Sequence, residues 1–414
     1  MEAKDKSITL DDLIKHMILL AVFMVPVFIL PKSLSNPFEI PKQIIITGLA
    51  ILLCTALIWF KDQIVWDNTS KMLVLLIALN FFSFLYTRNY YYTKVAVVLN
   101  VSCLVIFYFV ANYFVLDDIK KLFWVIGGAG IFVSVLVFCH KLNYYPFLRY
   151  ATNSGNIIAT IGNSNYAACY LIFPIFSWLG LLAINKGGMR LVALFGFLVT
   201  VFALYITFGR ASVLGTMIGV VFFGVFYRKY FKISTDIRAL ILGVFVAIFV
   251  AVLIKPNVIP TWSFDTSSIV ARTKYWTVSF KMFTDSPLFG TGLWSFRNQV
   301  YDVQSRILEK HPDFFTGYDS KPRRAHNEYL EILNDGGIVA AVALLLFFWR
   351  IMKRGFQRMH HSKNKEEMAI LLTLISLVMA VMVSAAFFFP FRLNSTLFLF
   401  SVIFGCLGGI KNYA

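Results

Sequence analysis

The sequence predicts an all-α polytopic membrane protein, and three observations carry that prediction. Apolar residues make up 59% of the 414-residue chain and charged residues 14%, where soluble domains carry about 25% charged residues. Mean hydropathy is +0.73. The apolar residues fall in long continuous runs, and a hydrocarbon core about 30 Å thick needs about 20 of them per helix. A backbone in lipid must satisfy its own hydrogen bonds, so each run is expected to be a helix. The runs do not alternate, which argues against a transmembrane β-barrel.

About twelve spans follow, near residues 13–31, 43–60, 71–87, 95–116, 121–140, 164–184, 190–208, 211–228, 238–255, 336–352, 367–389 and 393–410. The first run follows acidic as well as basic residues and lacks a small-residue cleavage site, so it reads as a span and not as a cleaved signal. Pro390-Phe391-Arg392 gives a tight connection between the last two spans. The chain therefore divides into spans one to nine (1–255), a large loop (256–335) and spans ten to twelve (336–414). The five cysteines, Cys54, Cys103, Cys139, Cys169 and Cys406, lie in apolar runs without C-x-x-C or metal spacing. They read as small buried hydrophobes.

Orientation comes from Lys and Arg in the short loops. With the N-terminus in the cytoplasm, the inner segments hold clusters such as Arg228, Lys229, Lys232, Arg238 and Arg350, Lys353, Arg354, Arg358. The short outer loops hold Lys32, Lys42, Arg88, Lys94, Lys141, Arg149, Arg210 and Arg392. Both termini are thus expected inside and the long loop outside, with the outer cations lining a rim.

The long loop is rich in aromatics, so it is expected to fold against the outer membrane face. Two helices are readable in it. One begins near Ser267-Ser268 and ends at Asp285-Ser286-Pro287, with Ile269, Trp276, Phe280 and Phe283 as its apolar stripe. It carries Arg272, which either snorkels to the lipid interface or faces a bound anion. The second follows Pro322 and ends at Gly336-Gly337, with His326, Leu330 and Leu333 on one face. Gly290-Thr291-Gly292 reads as a tight turn. There is no H-E-x-x-H, no G-x-S-x-G, no Walker loop and no paired D-x-D in the outer loops, which disfavours a metal-dependent reaction.

Outside the loop, Arg210 ends an apolar run with no acidic residue nearby in sequence. It either snorkels or serves as counter-charge to an anion. Asn163 and Asn165 open span six and either cap that helix or bind a polar ligand. Lys321, Arg323 and Arg324 either attract a phosphorylated acceptor or form a solvated, headgroup-facing cluster.

Four stretches together resemble the O-antigen ligase / O-antigen polymerase superfamily of bacterial envelope glycosyltransferases. They are Gly155 to Tyr170 (GNIIATIGNSNYAACY), Thr207 to Ser212 (TFGRAS), Arg272 to Trp276 followed by Asp285 to Phe296 (DSPLFGTGLWSF), and Ala325 to Gly337 (AHNEYLEILNDGG). Gly209 stands where that family usually has serine. The resemblance implies a GT-C-like glycosyltransferase acting on the periplasmic side of the bacterial inner membrane. It implies a polyprenyl-diphosphate-linked glycan as donor and a hydroxyl of lipid A–core oligosaccharide, or another glycan, as acceptor. It also implies Arg210 and Arg272 as ligands of the donor diphosphate and His326 as the group acting on the acceptor hydroxyl. No cofactor, metal or nucleic acid is expected. A polymerase or a protein O-oligosaccharyltransferase would use the same donor. A lipid flippase or transporter is the alternative of another class, although no internal repeat is visible and ionisable residues avoid the span centres.

Overall fold

A computed structural model describes residues 9–30, 36–59, 65–146, 157–231, 266–315 and 322–409. Its helices are α1 (Leu10–Val27), α2 (Glu39–Trp59), α3 (Asn68–Phe82), α4 (Tyr90–Tyr113), α5 (Leu116–Lys141), α6 (Ser164–Ile184), α7 (Gly187–Thr207), α8 (Arg210–Tyr230), α9 (Thr266–Asp285), α10 (Phe296–Leu308), α11 (Glu328–His361), α12 (Lys365–Ala385) and α13 (Asn394–Gly408). Among the described residues, nine helices are long and apolar enough to cross a membrane: α2 to α8, α11 and α12. Two more match predicted spans but fall short of that measure. Helix α1 carries Asp11, Asp12 and Lys15, and α13 has only 15 residues. The predicted ninth span, 238–255, lies outside the described residues.

Asparagine and aspartate caps start many of these helices. Asp67, Asn89, Asn163, Asn327 and Asn364 each accept a backbone N–H from the first turn, which satisfies a donor the helix itself cannot. Helices α6 and α12 form the centre of the bundle. Helix α6 packs on α5, α7 and α12, while α12 packs on α8, α11 and α13. Small residues let these helices approach, as is usual where lipid supplies no hydrophobic drive. Trp178 of α6 lies where a Cβ on Gly127 or Gly196 would clash, and Pro174 fills the space beside Gly130. At the end of the bundle away from the loop helices, ion pairs join neighbours: Lys15–Asp118 at 3.0 Å, Lys120–Glu366 at 2.7 Å and Arg354–Asp67 at 3.4 Å.

The loop differs from its prediction in three ways. Its first helix keeps the predicted end, but the buried face is Ala271, Tyr275, Val278 and Met282, and Phe280 is exposed. The aromatic stripe predicts the wrong face because it marks an amphipathic surface without saying which surface meets protein. A further helix, α10, buries Phe296, Val300 and Val303 against Val278 and Met282. The second predicted helix begins at Glu328, so His326 precedes it and does not share its face with Leu330.

The predicted break at Gly336-Gly337 is present as a kink inside α11. Gly337 has φ 62° and ψ −163°, a conformation essentially confined to glycine. The strap from Pro287 to Gly292 runs beside the break and takes up its freed backbone groups. Ile338 and Val339 N–H donate to Pro287 and Leu288 carbonyls, and Thr291 and Gly292 N–H donate to Asn334 and Asp335 carbonyls. A broken helix near lipid is tolerated only when its polar backbone is satisfied in this way. A Cβ on Gly337 would lie 2.3 Å from the Leu288 carbonyl. Gly337→Ala is therefore expected to reduce folded protein sharply in fluorescence-detected size exclusion; wild-type yield and melting temperature would refute the strap's role.

Candidate functional site

The loop-side end of the bundle gathers the residues the sequence singles out. The approach to α6 is folded inward. Lys42 of α2 is fully buried and donates to the Thr160 carbonyl at 2.7 Å, and the Thr160 hydroxyl donates to the Pro26 carbonyl at 2.6 Å. Lys42 is thus an internal fastener and not a rim cation, because its long stem reaches a carbonyl inside the protein. The fastened segment ends at Asn163, whose side chain caps α6 by accepting the Asn165 N–H at 2.9 Å. Asn165 itself is exposed. The next residue, Tyr166, turns inward and lays its ring 5.7 Å from Phe389 and 6.0 Å from Phe388.

Phe388 and Phe389 stack on each other at 4.4 Å and are almost fully buried. They form the floor of the site. The sequence places them at the end of a span, as ordinary core residues. Cys169, Leu393 and Ala211 pack against the same floor. Ala211 brings with it Arg210, the exposed first residue of α8. Gly209 just before it has no need of special backbone angles; its role is space. A Cβ there would lie 2.2 Å from the Ala168 Cβ, so the close crossing of α6 and α8 excludes the serine usual in the resembling family.

His326 lies over the same floor, 5.1 Å from Phe389, with Tyr275 of α9 stacked on its other side at 6.3 Å. Its φ of +54° is in the left-handed region, which histidine tolerates better than most residues. Its Nδ1 is buried with no hydrogen-bond partner. Burial first, then the positive charges of Arg272 and Arg324, push its pKa down from 6.5 to about 4. Arg272 stands one turn before Tyr275 on α9 and is half-buried. Arg324 places its guanidinium 5.2 Å from the Trp294 ring and 5.9 Å from the Phe389 ring. Arg323 is exposed, yet near enough to Tyr166 to act on it electrostatically. Lys321 lies outside the described residues.

Below the site is a buried charge cluster that sequence reasoning missed. Arg392 was expected on the outer rim, but it is buried and surrounded by carboxylates of α11. It bonds Glu328 at 2.8 Å, lies 3.6 Å from Glu331 and donates to Asp335. The spacing of those acids, i, i+3 and i+7, puts them on one helical face, and that spacing was the available signal. Glu331 also accepts the Ala325 N–H at 2.8 Å and lies 3.4 Å from Arg324. It fixes the backbone immediately before His326. Glu328 is committed to Arg392 and the Phe391 N–H.

The structure therefore brings His326, Arg324 and Tyr166 to one aromatic floor, with Arg272 acting electrostatically on the histidine and Arg210 beside Ala211 at the floor's edge. Asn165 and Arg323 are at the periphery. Such a site presents fixed cations and one neutral imidazole, a combination suited to binding a phosphate and accepting a proton. Residues 195–345 match the family model described as O-antigen ligase. That region contains Arg210, Arg272, Arg323, Arg324 and His326, and leaves out Asn165, Phe388, Phe389 and Arg392. No curated protein matches the chain.

Proposed function

We propose that this chain, a member of the O-antigen ligase / O-antigen polymerase superfamily, transfers a glycan from a polyprenyl-diphosphate carrier to a hydroxyl of lipid A–core oligosaccharide. The reaction takes place on the periplasmic side of the bacterial inner membrane, with both chain termini in the cytoplasm. The observation that carries this reading is His326 and Arg324 over one buried aromatic floor, with Arg272 near enough to act electrostatically on the histidine.

The chemistry follows from those groups. The acceptor oxygen attacks the anomeric carbon on the face opposite the diphosphate. The bond from that carbon to the phosphate oxygen breaks, and its electron pair leaves on the diphosphate, which stays attached to the polyprenyl chain. His326 takes the proton of the acceptor hydroxyl. Arg272 and Arg210 bind the departing diphosphate, each able to offer two parallel N–H donors to phosphate oxygens. Fixed cations of this kind stabilise charge where it develops, and one lost contact typically costs about 10²–10³ in rate.

The test is transfer by the purified chain in lipid, supplied with polyprenyl-diphosphate-linked glycan and lipid A–core. Glycan should appear on the core, with polyprenyl diphosphate released in equal amount. A chelator should leave the rate unchanged, since the arginines supply the charge. A strict metal requirement would overturn the arginine-based account. Glycan that lengthens on its carrier, with none reaching the core, would make the protein a polymerase.

A further inference from the structure

We propose that Arg324 is a third ligand of the donor's diphosphate, acting directly beside His326, and not a docking charge for a phosphorylated acceptor. This rests on the transfer reaction proposed above. Sequence alone groups Arg324 with Arg323 in one basic run. The structure separates them, with Arg323 exposed and Arg324 turned onto the site floor.

Three features of Arg324 support the assignment. First, its planar guanidinium is held by the rings of Trp294 and Phe389. A guanidinium stacked on aromatics keeps its N–H donors in plane and free for oxygen ligands. Trp294 is itself fixed, with φ +56°, just after the strap that locks the α11 break. Second, among the described residues the ion-pair partner of Arg324 is Glu331, through a single long contact of 3.4 Å. Glu331 does not depend on that contact, since it accepts the Ala325 N–H and sits against Arg392. Apart from the Nη1 contact with Glu331, the donors of Arg324 have no protein partner among the described residues. Third, Arg324 and His326 share Phe389 as a neighbour.

Proximity to the histidine decides which substrate Arg324 meets. The oxygen that His326 deprotonates must come within about 3–3.5 Å of the anomeric carbon. The leaving phosphate oxygen is bonded to that same carbon. The departing oxygen is therefore only one carbon away from the attacking oxygen, on the opposite face, within reach of a long side chain that starts beside the histidine. Phosphates on an acceptor core need not approach the reacting centre, and Arg323 at the exposed edge is the cation placed to meet them.

The experiment compares Arg324→Lys, Arg324→Gln and Arg323→Gln in the full-length protein. Direct binding of polyprenyl diphosphate, the released product, is measured alongside steady-state transfer. Arg324→Lys keeps the charge but loses the stacked fork, so polyprenyl diphosphate should bind roughly tenfold more weakly and kcat should fall by at least that factor. Arg324→Gln should lose roughly 10²–10³ in kcat. The KM for lipid A–core should change less than about twofold in both, and Arg323→Gln should leave product binding unchanged. Trp294→Leu removes the stacking platform without touching charge and should weaken product binding in the same sense. Unchanged product binding in the Arg324 variants, or a rise confined to the acceptor KM, would overturn the proposal. Wild-type protein that binds polyprenyl diphosphate but transfers nothing would sink the transfer reading and leave Arg324 still testable by binding.

Discussion

His326→Asn should lower transfer by about 10²–10⁴, the usual worth of a positioned base, with little change in melting temperature. Asparagine is the informative replacement because, like histidine, it tolerates the left-handed conformation at φ +54°. His326→Ala should be equally inactive but less stable, since it also loses contact with Phe389 and Tyr275. Near wild-type transfer by either variant would remove His326 as the base.

The pH dependence carries the same logic further. Burial, then Arg272 and Arg324, hold His326 neutral down to about pH 4. The acid limb of kcat/KM, which reports the free enzyme, should therefore lie well below the ordinary histidine value. A bound diphosphate neutralises the arginines and stabilises an imidazolium, so the acid limb of kcat should lie at higher pH than that of kcat/KM. The reverse order would contradict diphosphate binding beside His326. Stability follows with a definite sign. Below pH 6.5 an unfolded chain protonates this histidine and the folded one does not. The folded state's advantage is complete above pH 6.5 and declines as pH falls toward 4.

Arg392→Leu is expected to have the largest effect on folding. It strips the shared cation from Glu328, Glu331 and Asp335, all nearly inaccessible to solvent. Removing one partner of a buried ionic cluster typically costs about 3–5 kcal/mol, because the remaining charges have neither water nor counter-ion. The variant should accumulate poorly as folded protein. Adding Glu328→Gln and Asp335→Asn should recover part of the folded yield by removing those charges. If the single variant folds and melts like wild type, the cluster is not what holds α11 to the start of α13. The same cluster also sets the active segment, since Glu331 fixes Ala325 and contacts Arg324. A mild Arg392→Lys variant should therefore lose activity before it loses fold.

The spans were legible in the sequence because each depends on a local quantity, the length of an apolar run. Eleven of the predicted runs have a helix at or near the expected position among the described residues. The helix break was legible because Gly336-Gly337 is a local signal, and the cap of α6 because Asn163 is one. Helix α10 was overlooked although its signal is present, since Phe296, Val300, Val303 and Ile307 recur at i, i+4, i+7 and i+11.

The site was legible in part. Arg210, Arg272 and His326 are picked out by the family resemblance, since residue type alone leaves each an ordinary structural role among the other cations and histidines of the chain. Their surroundings do not stand out. Phe388 and Phe389 look like any other span residues until Tyr166, His326 and Arg324 arrive from three distant segments. Lys42 and Arg392 look like rim cations until their partners, Thr160 and the α11 carboxylates, are placed beside them. The sequence by itself determined that this protein is a bundle of apolar helices with an elaborate loop carrying basic residues and a histidine, because burial in lipid imposes its composition locally. Only the tertiary structure decided which cations are spent inside the protein, because that depends on partners brought together from far along the chain.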